Sequence, residues 1–174
     1  MTTKLKIIDK VFDLLNINPE DRKVDGEAFR RVNLFYKPVR DEMLRAKKWD
    51  FAIKKRILKK IDANRYEYPQ DALFIIGIVQ KSDSNNTFQE KYNTETQKRE
   101  IITAIKDPAL VYIARVEEKD FTDDFIEVFS LALACDLCVS ITGNINKQLE
   151  LQRKMFLKLG EINEISEEQK ELIC

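Results

Sequence analysis

Leu73-Phe74-Ile75-Ile76-Gly77-Ile78-Val79 decides how the rest of the chain is read. This run, rich in β-branched side chains, follows the turn Tyr68-Pro69-Gln70-Asp71 and precedes a polar stretch at residues 81–86. It is too short for a helix and predicts a buried strand. A second run of the same kind, Leu110-Val111-Tyr112-Ile113-Ala114-Arg115-Val116, follows the turn at Asp107-Pro108. Between them, residues 87–92 and 100–105 predict strands around a polar hairpin. No helical stretch separates these strands, so antiparallel pairing fits better than crossover units. Upstream, residues 56–61 fit either a strand or a helix end, because lysines and an arginine bracket Ile57-Leu58.

Outward from this centre the period changes to that of helices. Leu5, Ile8, Val11, Phe12 and Leu15 recur at helical spacing, and Asn18-Pro19 closes that segment. Asp25 is a suitable cap for a second helix, whose inward stripe would be Ala28, Val32, Phe35, Val39, Met43 and Ala46. Pro38 lies inside that stripe and is expected to kink or split the helix. Thr122 or Asp123 caps a third helix over residues 125–141, apolar nearly all round and so suited to the centre of a bundle. Gly143 stands where that helix should end. A fourth helix over residues 145–160 carries Ile145, Leu149, Gln152, Met155, Phe156 and Leu159. The expected fold is α+β: an antiparallel helical bundle (residues 1–50 and 122–160) with a small inserted antiparallel β subdomain (51–121). A C-terminal arm, 161–174, completes a single domain.

Composition narrows the function classes. A chain of 174 residues suits one domain, and 44% hydrophobic with 34% charged residues suits a soluble globular surface. Charges at Lys4, Lys6, Asp9, Lys10 and Asp13 interrupt the N-terminal apolar residues, so neither a signal peptide nor a cytoplasmic exit is expected. No uninterrupted apolar stretch approaches the ~18 residues of a membrane helix. Histidine is absent, which removes Ser-His-Asp and Cys-His nucleophilic sites and every histidine-containing metal site. Cys135-x-x-Cys138 lacks a second ligand pair and falls in mid-helix among Leu and Ala, so it reads as packing rather than zinc or redox chemistry. Asp136, between the two, needs a partner, an exposed edge or an intersubunit contact. Gly26, Gly77, Gly143 and Gly160 are the only glycines, and none belongs to a phosphate-cradling loop. The carboxylate pairs Glu117-Glu118 and Asp123-Asp124 stand without other catalytic parts. A non-enzyme without cofactor or metal is the expectation.

The net charge is zero but unevenly spread. Residues 37–60 hold ten Lys/Arg against three Asp/Glu, and residues 117–171 hold six against thirteen. Either these are solvated faces, or two surfaces of opposite sign are built to meet. Within the first block, Lys47, Lys48, Lys54, Lys55, Arg56, Lys59 and Lys60 form a candidate basic face for nucleic acid or for a neighbouring subunit.

The order of short motifs along the chain resembles one family. Tyr36-x-x-x-Arg40-Asp41-x-x-Leu44, Trp49-Asp50-Phe51-Ala52 and Arg56-x-Leu58 come first, then Tyr68-Pro69-x-Asp71-x-Leu73. Residues 109–116, Phe121, Phe125, Leu131-Ala132-x-Ala134-Cys135-x-Leu137 and Ile141-Thr142-Gly143 follow. Together, over residues 28–160, they resemble the head-to-tail adaptors (tail tubular protein A, or gateway, proteins) of short-tailed bacteriophages. Trp49, Phe51, Tyr68, Pro69 and Asp71 would then be structural anchors, the aromatic pair pinning bundle to sheet. The loop after residue 80 and the segment after Gly160 depart from the family pattern.

The resemblance implies a structural virion protein at the neck, assembled in the host cytoplasm. It implies a dodecameric ring of copies beneath the portal protein, holding the tail nozzle (a tail tubular protein B-like partner) and lining the DNA exit channel. Transient, nonspecific contact with genomic DNA follows, and no membrane contact. The arm, through Ile162, Ile165, Leu172 and Ile173, would bind the portal or a neighbouring copy. The alternative is a nonspecific nucleic-acid-binding module using the basic cluster of residues 47–60.

Overall fold

The computed structural model describes residues 3–24, 26–79 and 87–171, with residues 163–171 described through their backbone alone. The expected cap Asp25, the polar loop at 81–86, Leu172 and Ile173 lie outside the described residues. Two compact units divide the chain: Met1–Met43 with Glu117–Cys174, and Leu44–Val116. The boundary on one side falls in the last turn of a helix.

The first unit is helical. Helix α1 (Thr3–Leu15) buries Ile7, Ile8, Val11, Phe12 and Leu15, while Leu5, expected inside, lies at the surface. Asn16 ends it with a positive φ of 57°, a conformation Asn tolerates, and Arg22 reaches back to Asp13 at 2.7 Å. Helix α2 (Glu27–Ala46) runs through Pro38 without being split. Its inward stripe is Val32, Tyr36, Val39 and Met43, and Phe35 is turned toward solvent. Helix α3 (Asp123–Thr142) is capped by Thr122, whose side chain accepts from the Phe125 N–H. It ends at Gly143, whose φ of +66° is open to glycine without strain. Asn144 then caps helix α4 (Ile145–Glu171) by accepting from the Lys147 N–H at 3.0 Å. That helix continues well past Gly160, where the sequence pattern had it stop.

α3 is the centre of this unit, with α1 and α4 packed against it. By length and composition it would suit a membrane span, but 61% of its most apolar window is buried by its neighbours. Its aromatic face forms one cluster: Phe125 and Phe129 stack at 5.7 Å, Phe121 meets Phe125 edge-on at 4.7 Å, and Tyr36 meets Phe129 edge-on at 5.0 Å. The Tyr36 hydroxyl is buried there without a hydrogen-bond partner among the described residues. Burial, and after it the nearby Glu118 carboxylate, push its pKa up, although Glu118 is not in bonding geometry. An unpaired buried hydroxyl costs roughly 1–3 kcal/mol. Tyr36→Phe is therefore expected to raise stability by about 1 kcal/mol, a Tm gain of about 2–4 °C in a thermal melt. A fall in Tm would show that the hydroxyl is bonded in solution.

The second unit corrects the expectation of a small inserted β subdomain. Among the described residues it holds seven strands in two antiparallel sheets. The first sheet has the order β1 (Ile53–Ile57), β7 (Ala109–Ala114), β4 (Ala72–Val79). The second has the order β2 (Lys60–Asp62), β3 (Arg65–Glu67), β6 (Lys98–Ile102), β5 (Gln89–Asn93). The chain is thus a mixed α+β protein with a β unit that has its own core, not a bundle with a minor insertion. The physical reason is that β1 pairs with β7 across more than fifty residues, which no local pattern reveals. The ambiguous stretch at 56–61 is the end of one strand and the start of another, broken where the Leu58 N–H bonds the Pro108 carbonyl at 2.9 Å. Leu58, Tyr66, Ile75, Ile78, Ile101, Leu110 and Tyr112 are buried in this unit. Tyr66 donates its hydroxyl proton to the Ile105 carbonyl at 2.9 Å.

Candidate functional site

The turn that announced β4 also organises the β unit. Pro69 is buried, and its carbonyl accepts from the Ala72 N–H at 3.1 Å, closing the turn. Asp71 then sits where three distant segments converge. Lys54 Nζ, from β1, donates to its Oδ2 at 2.9 Å. The Tyr112 hydroxyl, from β7, donates to its Oδ1 at 3.1 Å. The Arg115 N–H donates to its backbone carbonyl at 2.6 Å. Burial on its own would push the Asp71 carboxyl up, but the Lys54 and Tyr112 bonds outweigh it and hold the pKa below the usual range. The same proximity, with burial the larger cause, pushes the Tyr112 phenol up.

Beside Asp71 a cleft of about 880 Å³ opens between the turn and strands β1, β2, β3 and β6. Its walls include Tyr68, Pro69 and Asp71 from the expected anchors, and Arg56 and Lys59 from the expected basic cluster. They also include Arg65, Glu67, Lys98, Arg99 and Glu100, none of which the sequence reading singled out. Arg65 grips Glu100 with two bonds of 2.8 Å, and Asn93 adds a third of 2.8 Å. The Arg65 bond first, then that of Asn93, holds Glu100 below the ordinary carboxylate range. Lys59 pairs with Glu67 at 3.2 Å, and the Arg99 guanidinium lies 5.7 Å from the Tyr68 ring. Arg56, Lys98 and Arg99 are left without an acidic partner among the described residues. The cleft therefore keeps a positive surplus. Chemically it can hold a carboxylate or phosphate; Thr96 supplies its only aliphatic hydroxyl.

The remaining site residues are dispersed. Trp49 is buried with the Lys47 ammonium 5.2 Å over its ring, and Phe51 lies 6.1 Å away at a tilt. Strand alternation sends Lys54 and Arg56 to one face of β1 and Lys55 to the other, so the basic residues do not form one surface. Lys48 and Lys60 are exposed. Of the arm residues, Ile162 is half-buried, and Ile165 is described as backbone within α4. Cys135 and Cys138 are buried free thiols directed at carbonyls of Gln148 and Asn144, stitching α3 to α4. Burial first, then Asp136 and Cys138, pushes the Cys135 thiol up, which suits a packing role. Asp136 keeps an exposed edge on an otherwise apolar helix, and partial desolvation there, with the nearby Glu42 carboxylate second, pushes its pKa up.

Two apolar faces were missed by periodicity. In the first sheet, cross-strand partners form three rows on one face: Ile57, Ala109, Val79; Lys55, Val111, Gly77; Ile53, Ile113, Phe74. Ile57 is 69% exposed and Phe74 54%, and the space above Gly77 is open. On α4, Leu149, Phe156 and Leu157 line a shallow depression with Arg153 and Gly160, while Leu151 faces the core. An excess of apolar residues over what one helical face can bury was the available signal on α4.

Compared with protein-family models and with curated proteins, the chain matches none.

Proposed function

We propose that this chain is a structural subunit of the ring that joins head to tail in a short-tailed bacteriophage. In this role it sits beneath the portal, holds the tail nozzle and leaves a central channel for DNA. The observation that carries the proposal is that each compact unit leaves an apolar face open, and the two faces differ in kind. One is a sheet face around Phe74, the other a helix ridge around Phe156. A ring needs head-to-tail contacts, in which two unlike surfaces of the same subunit meet. The motif order over residues 28–160 supports the same role, and two of its separate pieces are joined by the Tyr112–Asp71 bond. Electron microscopy of the purified chain, alone and added to portal-bearing heads lacking it, tests the proposal. Closed rings, or new density beneath the portal, are expected. A chain that neither self-associates nor attaches to heads overturns it.

A second reading is favoured by Arg56, Lys98 and Arg99 in the cleft, which have no acidic partner among the described residues: nonspecific binding of nucleic acid. In a ring subunit such binding would be weak, independent of sequence and steeply weakened by salt. Tight binding to one sequence with a flat salt response would instead make the chain a regulator.

A further inference from the structure

The first sheet carries apolar residues on both faces. Leu110, Tyr112, Ile75 and Ile78 fill the inner face and are buried. The outer face has apolar side chains or Gly at eight of nine grid positions, with Lys55 at one edge. Sheets apolar on both faces are normally covered on both. Here Ile113, in the centre of one row, is covered, but Ile57, Phe74 and Val79 at the edges of the face stay exposed. The ridge of α4 shows the converse: a helix already packed on α3 through Leu151 still presents Leu149, Phe156 and Leu157 to solvent.

We infer that the α4 ridge of one copy docks across the outer face of the β1–β7–β4 sheet of the next copy. This deepens the ring proposal and rests on it. The dimensions agree. Three strands span two spacings of about 4.8 Å, roughly 10 Å, close to a helix's diameter with side chains. The four steps along the strand from Ile53 to Ile57 span roughly 13 Å, and the seven steps along the helix from Leu149 to Phe156 rise roughly 10 Å. The charges agree as well. On the outer face the one charged position is Lys55, on the edge strand β1, and it is not ion-paired among the described residues; Lys54 and Arg56 lie on the other face. Beyond the ridge, residues 161–171 hold five acidic residues against one lysine. Stacking a helix on a sheet is among the few stable ways to bury two such faces.

Phe74→Lys and Phe156→Glu test the pairing in the full-length chain. Both side chains are more than half exposed, so thermal melts close to wild type are expected and serve as the folding control. Each variant alone should be monomeric by light scattering under conditions where the wild type assembles. An equimolar mixture should give a discrete dimer and no ring, because each variant retains one of the two unlike surfaces. Self-association of Phe156→Glu alone would mean that sheet faces pair with each other, and overturns the inference. Wild-type-like rings from both variants also overturn it while leaving the ring proposal standing. A wild-type chain that remains monomeric at the highest attainable concentration and on heads overturns both.

Discussion

Phe129→Ala is expected to lower the unfolding free energy by about 3–5 kcal/mol, the range for aromatic truncation in a packed core. Phe129 is fully buried on α3 and touches three other rings: Phe125 at 5.7 Å, Tyr36 at 5.0 Å and Phe121 at 6.3 Å. Such pairs contribute about 0.5–1.5 kcal/mol each beyond area burial, and all of them vanish with the ring. The surrounding rings sit on three separate segments, so the cavity does not close by rotating one side chain. Against a total of about 5–15 kcal/mol for a folded domain, this is roughly a fifth of the stability or more. Denaturant titration followed by helical circular dichroism measures it, since α3 is the helix on which α1 and α4 pack. A loss under about 1 kcal/mol would mean that the aromatic cluster is peripheral. Phe129→Leu, which keeps most of the volume, should recover the larger part.

The same cluster shows what the sequence made legible. Apolar residues on every side of residues 125–141 placed α3 at the centre, and burial of Phe125, Val128, Phe129, Leu133 and Leu137 agrees. The runs at 73–79 and 110–116 located β4 and β7 to within two residues, because strongly apolar strands announce themselves. The size of the β unit was not legible. The hairpin expected at 87–92 and 100–105 is β5 and β6, but β1, rich in Lys and Arg, pairs only with β7 far along the chain, and β3 joins that hairpin through β6 across more than thirty residues. Pro38 misled in the other direction: a proline removes one backbone bond, and α2, anchored by Val32, Tyr36, Val39 and Met43, tolerates the loss.

The site followed the same division. Tyr68, Pro69 and Asp71 were found because a turn before a buried strand has a local signature. Arg65, Lys98, Arg99 and Glu100 were not, since they reach the cleft only once β3 has paired with β6. The exposed face around Ile57 and Phe74 was hidden by the very hydrophobicity that identified the strand. An apolar run predicts burial, and only the paired sheet shows which of its two sides is covered.

Asp71→Ala is expected to cost the β unit about 2–3 kcal/mol. Most of that comes from the buried Tyr112 hydroxyl, which loses its acceptor at a cost of roughly 1–3 kcal/mol. The Lys54 bond adds about 0–1 kcal/mol, because the lysine is half exposed and solvent screens the pair. Asp71→Asn keeps an acceptor for Tyr112 and should lose about 1 kcal/mol. The pH dependence has a definite sign. The folded-state pKa of Asp71 lies below its ordinary value, so its contribution is complete above that value and is lost as pH falls through the folded pKa. The stability gap between wild type and Asp71→Asn should therefore be constant from neutral pH down to about pH 5 and close below about pH 4. Glu100, also held low, remains in both proteins, so each still loses stability in acid while the difference isolates Asp71. A double-mutant cycle assigns the cause. In a Tyr112→Phe background there is no orphaned hydroxyl, and Asp71→Ala should cost only the screened Lys54 bond. Equal costs in the two backgrounds would mean that Asp71 acts through the fold of its turn and not through the bond to Tyr112.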